Sequence, residues 1–283
     1  MALASEIPGP DLAARAAVLS ARLALTPTTE AVRQVLCDNL LGPVALVSSF
    51  GAESVVLLHM VAGIAPQTPV LFIDTGKLFA ETLDYQQALA SRLELRDLRI
   101  LRPDPEALRR RDPDGRLHRR DADACCALRK IEPLERGLRG FDAWLTGRKR
   151  FQTAPRSNIA LFESDGRRIK FNPLHAWSRD DLERYIETYR LPRHPLSGRG
   201  YPSIGCAPCT DPVLPGEDPR AGRWRGLAKT ECGIHHLTQI EALAGAPARG
   251  GGMRTVARAG SGTHGSGGSP GPAGPCKTDD PAS

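Results

Sequence analysis

Four strand-length apolar runs constrain this chain more than anything else in it. They are Val44–Ser48, Pro69–Ile73, Leu98–Leu101 and Phe141–Leu145, and helix-like segments at Glu53–Val61 and Lys77–Leu93 separate the first three. Short apolar runs alternating with helices have one good packing solution: parallel strands joined by helices that cover both faces of the sheet. The expected fold is therefore α/β, a Rossmann-like doubly wound parallel sheet followed by an irregular C-terminal segment. Ligands of such sheets sit outside the carboxyl ends of the strands. Three polar, glycine-containing clusters fall at these ends: SSFGAES after the first run, Asp74-Thr75-Gly76 after the second and Thr146-Gly147-Arg148 after the fourth.

SSFGAES matches neither GxxxxGK[ST] nor GxGxxG, so it is not an ordinary triphosphate or dinucleotide loop. The hydroxyls of Ser48, Ser49 and Ser54, the bare backbone at Gly51 and the helix start that follows suit an anion nonetheless. The net charge of +6, with arginine far outnumbering lysine, agrees with an anionic ligand and equally with a solvated basic surface. No stretch approaches the roughly 18 apolar residues of a membrane span. The first 25 residues lack a continuous apolar core and read as a helical segment, amphipathic over residues 11–25, rather than a signal peptide. The expected location is cytoplasmic, where most thiols are reduced, metal-bound or catalytic. Residues 178–189 open on a serine N-cap followed by acids and read as a helix. The chain is irregular over residues 190–232, and from about 244 it becomes rich in Gly, Pro and Ser and is expected to be disordered.

The seven cysteines divide by context. Cys37, in AVRQVLCDNL, reads as a buried inert thiol, and Cys276 falls in the low-complexity tail. Cys125 and Cys126 are adjacent in DACCALRK, and Cys206 and Cys209 form CxxC in SIGCAPCT. Two pairs of soft ligands make a metal-site pattern. Zinc sites favour two CxxC pairs; an adjacent pair suits a larger cluster with several iron corners, and both readings stay open on spacing alone. Cys232, in KTECGIHH, has Lys229, His235 and His236 near it and Arg220, Arg223 and Arg225 upstream. Such cations raise the thiolate fraction of a cysteine.

SSFGAES, FIDTGKLFAET, DACCALRKIEPL, TGRKRFQTAPRS, FNPLHAW, GYPSIGCAPCT and KTECGIH occur in this order. Together they resemble the bacterial sulfonucleotide reductases, in particular the iron–sulfur adenylyl-sulfate (APS) reductases of assimilatory sulfate reduction and cysteine biosynthesis, within the phosphoadenylyl-sulfate (PAPS) reductase family. The resemblance implies an adenine-nucleotide α-hydrolase-like fold. It implies one [4Fe–4S] cluster on Cys125, Cys126, Cys206 and Cys209, and Cys232 as the nucleophile. The thiolate attacks the sulfate sulfur of adenosine 5′-phosphosulfate, AMP leaves, and thioredoxin or glutaredoxin releases sulfite from the Cys232 thiosulfonate. Lys130, one helical turn after Cys126, is expected to link the cluster to the substrate as a catalytic cation. Ser48, Ser49, Gly51, Ser54, Asp74, Thr75, Arg148, Arg156, Arg220, Arg223 and His235 are the expected substrate-binding residues. The implied organisation is a helical segment at 1–30, a reductase domain at 31–243 with its nucleophile on a mobile segment near 211–240, and the tail at 244–283. A homo-oligomer is compatible with this, and neither nucleic acid nor membrane is an expected partner.

Three other readings fit parts of the sequence. A PAPS reductase of the same family needs a basic pocket for one more phosphate. An ATP-dependent adenylating enzyme is suggested by the likeness of SSFGAES to the SGGxDS pyrophosphatase loop, although Phe50 stands where that motif has Gly and Glu53 where it has Asp. A zinc and nucleic-acid-binding module fits the charge and the cysteines, but aromatics are only 5% of residues and form no stacking platform.

Overall fold

The structure, a computed structural model, describes residues 11–235 and Cys276. In chain order it places α1 (Leu12–Arg22), α2 (Thr28–Cys37), β1 (Val44–Ser48), α3 (Ser54–Ile64), β2 (Val70–Ile73), α4 (Ala80–Arg92), β3 (Leu98–Leu101), α5 (Pro105–Arg111), α6 (Leu117–Arg120) and α7 (Ala122–Cys126). A single π-helical turn, Ala127–Ile131, carries α7 into α8 (Glu132–Gly137). There follow β4 (Ala143–Thr146), β5 (Phe162–Ser164), β6 (Ile169–Phe171) and α9 (Arg179–Thr188).

The six strands form one sheet in the order β3-β2-β1-β4-β6-β5, parallel except for the antiparallel edge strand β5. The order runs outward in both directions from β1 and β4, so the doubly wound expectation holds and the crevice between their carboxyl ends is the switch point. Alternation along β1 sends Leu46 into one core, with α2, α3 and α9, and Ala45 into a second, with Ile131, Leu134, Leu138 and Trp144. Strands buried on both faces must be apolar throughout, and this is why the runs were readable in the sequence. α9 begins as its sequence indicates: Ser178 Oγ accepts from the Asp181 N–H at 3.1 Å and the Asp181 carboxylate accepts from the Ser178 N–H at 2.8 Å.

Two expectations are corrected. The helix read over Lys77–Leu93 starts only at Ala80, because Lys77–Phe79 is drawn away to the CxxC loop. Leu78 pairs with Cys206 in an antiparallel bridge, and the Lys77 carbonyl accepts from the Ala207 N–H at 2.8 Å. Cys37 is not an inert thiol: it forms a disulfide with Cys276, with Cα atoms 5.7 Å apart. Cys37 ends α2 and lies outside the buried stripe Ala31, Val32, Val35 and Leu36, so its sulfur is available at the rim of the core. The expected disorder of 244–283 concerns residues outside those described, Cys276 excepted.

Candidate active site

A cleft of about 260 Å³ opens at the switch point, lined by the loops after β1, β2 and β4 and by the C-terminal segment. Its floor is the SSFGAES loop. Phe50 takes a left-handed backbone, φ 49°, a conformation that L-residues with a bulky side chain avoid. The position is held by burial: the Phe50 ring is fully enclosed and packs edge-on against Phe72 with centroids 5.2 Å apart. The loop is closed by its own hydroxyls. Ser48 Oγ accepts from the Phe50 N–H at 3.2 Å, Ser54 Oγ accepts from the Gly51 N–H at 3.0 Å, and Ser49 and Ser54 hydroxyls meet at 3.5 Å. Gly51 therefore shapes the loop rather than presenting a free N–H, while the serines and the start of α3 line the cleft.

Glu53 turns inward to a buried partner. Its carboxylate accepts from Lys149 Nζ at 2.6 Å and from Gln152 Nε2 at 2.9 Å. Lys149 is 2% exposed and burial pushes its pKa down, with Glu53 opposing. Neither residue was singled out for a site from the sequence, although Lys149 follows the Thr146-Gly147-Arg148 cluster directly.

The cations of the sequence reading gather at this cleft. Arg148 is buried at its side, donating to Glu163 and, at 3.1 Å, to Asn172 Oδ1; burial lowers its pKa. Arg156 faces the C-terminal segment. Arg220, whose pKa burial lowers to about 10, donates to the Thr230 carbonyl at 2.9 Å and contacts Ser203 Oγ at 3.4 Å. The Arg223 guanidinium stacks on Trp224, 4.5 Å from the ring centroid, and fills the space a side chain at Gly205 would need. A Cβ there would lie 2.2 Å from an Arg223 nitrogen, so a side chain at 205 would push the guanidinium from its place. Lys130 Nζ also lies over Trp224, at 5.9 Å. Burial alone would depress its pKa, but the sulfurs of Cys206, Cys232 and Cys126 raise it, so Lys130 is a charged group among thiols.

Cys232 is half-buried and lines the same cleft. The segment around it is fixed on both sides. Lys229 pairs with Asp123 at the start of α7. Ile234 packs on the second core, and the His235 ring stacks on Trp144 with planes 3° apart while its carbonyl accepts from Lys170 Nζ at 3.0 Å. The cleft thus unites Ser48, Ser49, Gly51, Ser54, Thr75 and Lys130 with Arg148, Arg156, Arg220, Arg223, Cys232 and His235. Asp74 is not among its lining residues: its carboxylate accepts from the Gly76 N–H and from Arg102 Nε, each at 3.0 Å, and lines a separate groove.

The two cysteine pairs lie behind Lys130. Asp121 caps α7 by accepting from the Asp123 and Ala124 N–H groups at 3.0 and 2.8 Å, placing Cys125 and Cys126 in its last turn. Facing them, Thr75 Oγ1 is 3.3 Å from Cys206 Sγ, and the Cys209 carbonyl accepts from the Trp224 N–H at 3.1 Å. Burial pushes the thiols of Cys125 and Cys209 up, and that of Cys126 to about 11. Among the described residues no three His, Cys, Asp or Glu converge to hold a metal ion. The surroundings nevertheless fit an anionic sulfur-rich group: Trp224 Nε1 is buried without a hydrogen-bond partner among the described residues, and Lys130, Arg129 and Lys229 act electrostatically on the thiols.

Fold and site together define a doubly wound α/β protein with a cation-rich, cysteine-lined cleft at its switch point. The profile of the phosphoadenosine phosphosulfate reductase domain matches residues 43–212, and the chain belongs to that family. It is 49% identical over 224 residues to the adenosine 5′-phosphosulfate reductase of Mesorhizobium japonicum, covering 79% of this chain and 88% of the relative. It is 44% identical to the phosphoadenosine 5′-phosphosulfate reductase of Gloeobacter violaceus, covering 67% and 81%. The crystal structure of the PAPS reductase of Candida auris superposes with a TM-score of 0.59 at 26% identity, covering 69% of this chain and 95% of that one.

Proposed function

We propose that the chain reduces adenosine 5′-phosphosulfate to sulfite and AMP, with thioredoxin or a similar dithiol protein as reductant. The observation that carries the reading is the meeting of Cys232 with Lys130, Arg156, Arg220 and Arg223 on a strand-end anion loop. A thiolate approaching a sulfonyl group that is already anionic is repelled, so the reaction needs fixed cations at the sulfate and at the departing phosphate. The Cys232 thiolate attacks the sulfate sulfur, the bond from that sulfur to the bridging phosphate oxygen breaks, and AMP leaves with the electron pair. Cys232 is left as a thiosulfonate. A thiolate of the partner then attacks Cys232 Sγ and displaces sulfite, and the partner's second thiol resolves the mixed disulfide, which returns Cys232 as a thiol and the partner oxidised.

Cys125, Cys126, Cys206 and Cys209 are proposed to hold a [4Fe–4S] cluster. Four cysteine thiolates are the ligand set such a cluster would take. The cluster, when bound, supplies a local charged body next to Lys130. Lys130 itself reaches toward Cys232 and neutralises sulfate charge, and Trp224 holds Lys130, Arg223 and Lys229 around its ring.

Intact-mass measurement after incubation with APS and no reductant tests the reading. A sulfonate adduct is expected on wild type and not on Cys232→Ser; an unmodified wild type carrying about four iron and four sulfide per chain overturns it. The Gloeobacter relative supports a second reading, reduction of PAPS. A higher kcat/KM on PAPS than on APS decides for it.

A further inference from the structure

Glu231, the residue before the nucleophile, holds two of the cleft's arginines. Its carboxylate lies fork to fork with Arg156, Oε1 2.6 Å from Nε and Oε2 2.7 Å from Nη2. Oε2 is also 3.6 Å from Arg220 Nη2, and Oε1 accepts from Thr153 Oγ1 at 3.4 Å. The group is largely enclosed, its side chain 18% exposed. Burial alone would raise its pKa, but Arg156 and Arg220 hold it below the ordinary carboxylate value, so the site contains a fixed negative charge.

This is an odd charge to place beside a thiolate that must attack a sulfate. It repels the nucleophile's ionised form and the substrate alike, and it occupies a guanidinium face whose planar fork suits phosphate or sulfate oxygens as well as a carboxylate. We propose that Glu231 is an internal stand-in for the anionic substrate. In the empty enzyme it neutralises Arg156 and Arg220 and draws the Cys232 segment onto the cleft. A nucleotide phosphate or sulfate competes for the same donors and displaces the carboxylate as it binds. The inference rests on the proposed function, because it takes Arg156 and Arg220 to be receptors for the phosphosulfate.

Glu231 thereby acts as a positioning residue with two consequences. Part of the substrate's binding energy is spent on breaking the Glu231 pairs. In exchange, buried guanidiniums are never left without an anion, which would be costly in a cleft this enclosed. The closed segment also keeps Cys232 half-buried until an anion arrives.

The test is calorimetric binding of AMP to the cluster-loaded full chain, in wild type, Glu231→Gln and Glu231→Asp. Removing a competing charged fork is expected to tighten AMP binding roughly tenfold in Glu231→Gln, with Glu231→Asp near wild type. Iodoacetamide is also expected to label Cys232 several-fold faster in nucleotide-free Glu231→Gln. The tightening should vanish when Arg156→Ala is added, because the fork competed for is then gone. AMP binding that is unchanged or weakened in Glu231→Gln, with circular dichroism and iron content intact, overturns the proposal and makes Glu231 an orienting partner of Arg156. Failure of wild type to bind AMP or APS at all is a different result: it refutes the proposed function itself.

Discussion

Replacing Glu53 by glutamine tests the electrostatics beneath the anion loop. Lys149 Nζ and Glu53 Oε2 are 2.6 Å apart, with side-chain exposures of 2% and 22%. At an effective dielectric of about 20 the gross attraction over this distance is about 6 kcal/mol. Most of that offsets desolvation, and removing one partner of a buried pair costs about 3–5 kcal/mol because the other charge is left behind. The glutamine amide oxygen can still accept from Lys149, so Glu53→Gln is expected at the lower end, about 3 kcal/mol in urea denaturation. Lys149→Met should cost less, since Glu53 retains Gln152 and some water. The double variant should recover much of the loss.

The pH dependence has a definite sign. Burial depresses the folded-state pKa of Lys149, more so once Glu53 is neutral. The folded protein then binds fewer protons than the unfolded chain, so stability rises with pH toward the free-lysine value of about 10.4. The gap between wild type and Glu53→Gln should therefore narrow from about pH 8 to about pH 10. A loss below about 1 kcal/mol, or a gap that widens with pH, refutes the reasoning.

Other outcomes follow from single contacts. Phe50→Ala should destabilise by about 3–5 kcal/mol through loss of the ring packed on Phe72. Phe50→Gly should be about 0.5–1 kcal/mol more stable than Phe50→Ala in the same urea assay, reversing the usual order, because the backbone there is left-handed. Lys130→Ala is expected to slow sulfonation of Cys232 by about 100-fold in single turnover while iron content stays near wild type; parallel loss of both assigns Lys130 to cluster retention instead. Alkylation of denatured, iron-stripped chain should modify the five free cysteines before reduction, and Cys37 and Cys276 as well after it. Equal labelling in both conditions rules out the disulfide.

What could be read from the sequence follows the physics of each part. β1, β2 and β4 were visible because strands buried on both faces are continuous apolar runs. β5 and β6 were missed because each is only three residues long and carries polar side chains, Glu163 and Lys170, that pair across the two strands. The start of α4 was misplaced because a long-range bridge to Cys206 overrides the helical propensity of Lys77–Phe79. Ser48, Ser49, Gly51, Ser54, Thr75 and Arg148 were legible as types at strand ends, where a doubly wound fold collects them. Asp74 shared that position, yet side-chain direction sends it to Arg102. Lys149, Glu53 and Glu231 went unassigned because their meaning lies in partners 75 or more positions away in the chain, which no local spacing reveals.

The same long-range pairing orders the irregular segment from Pro202 to His235, which carries the proposed nucleophile. Having little regular structure of its own, it is ordered by contacts to other elements: Arg223 against Gly205, Lys229 to Asp123, Glu231 to Arg156 and His235 on Trp144. Each of these is a charge pair, a ring contact or the close fit of a guanidinium on a glycine rather than a packed apolar layer. The exposed contacts among them are worth little individually, whereas the enclosed Glu231–Arg156 pair gives way only to another anion. A segment built this way suits the proposed role of Cys232, held over the cleft for a nucleotide and released to a protein reductant at the cost of few contacts, of which Ile234 at the edge of the second core is the apolar one. A nucleophile set on β4 or α8, within those cores, would be better fixed in place but could not reach a second macromolecule.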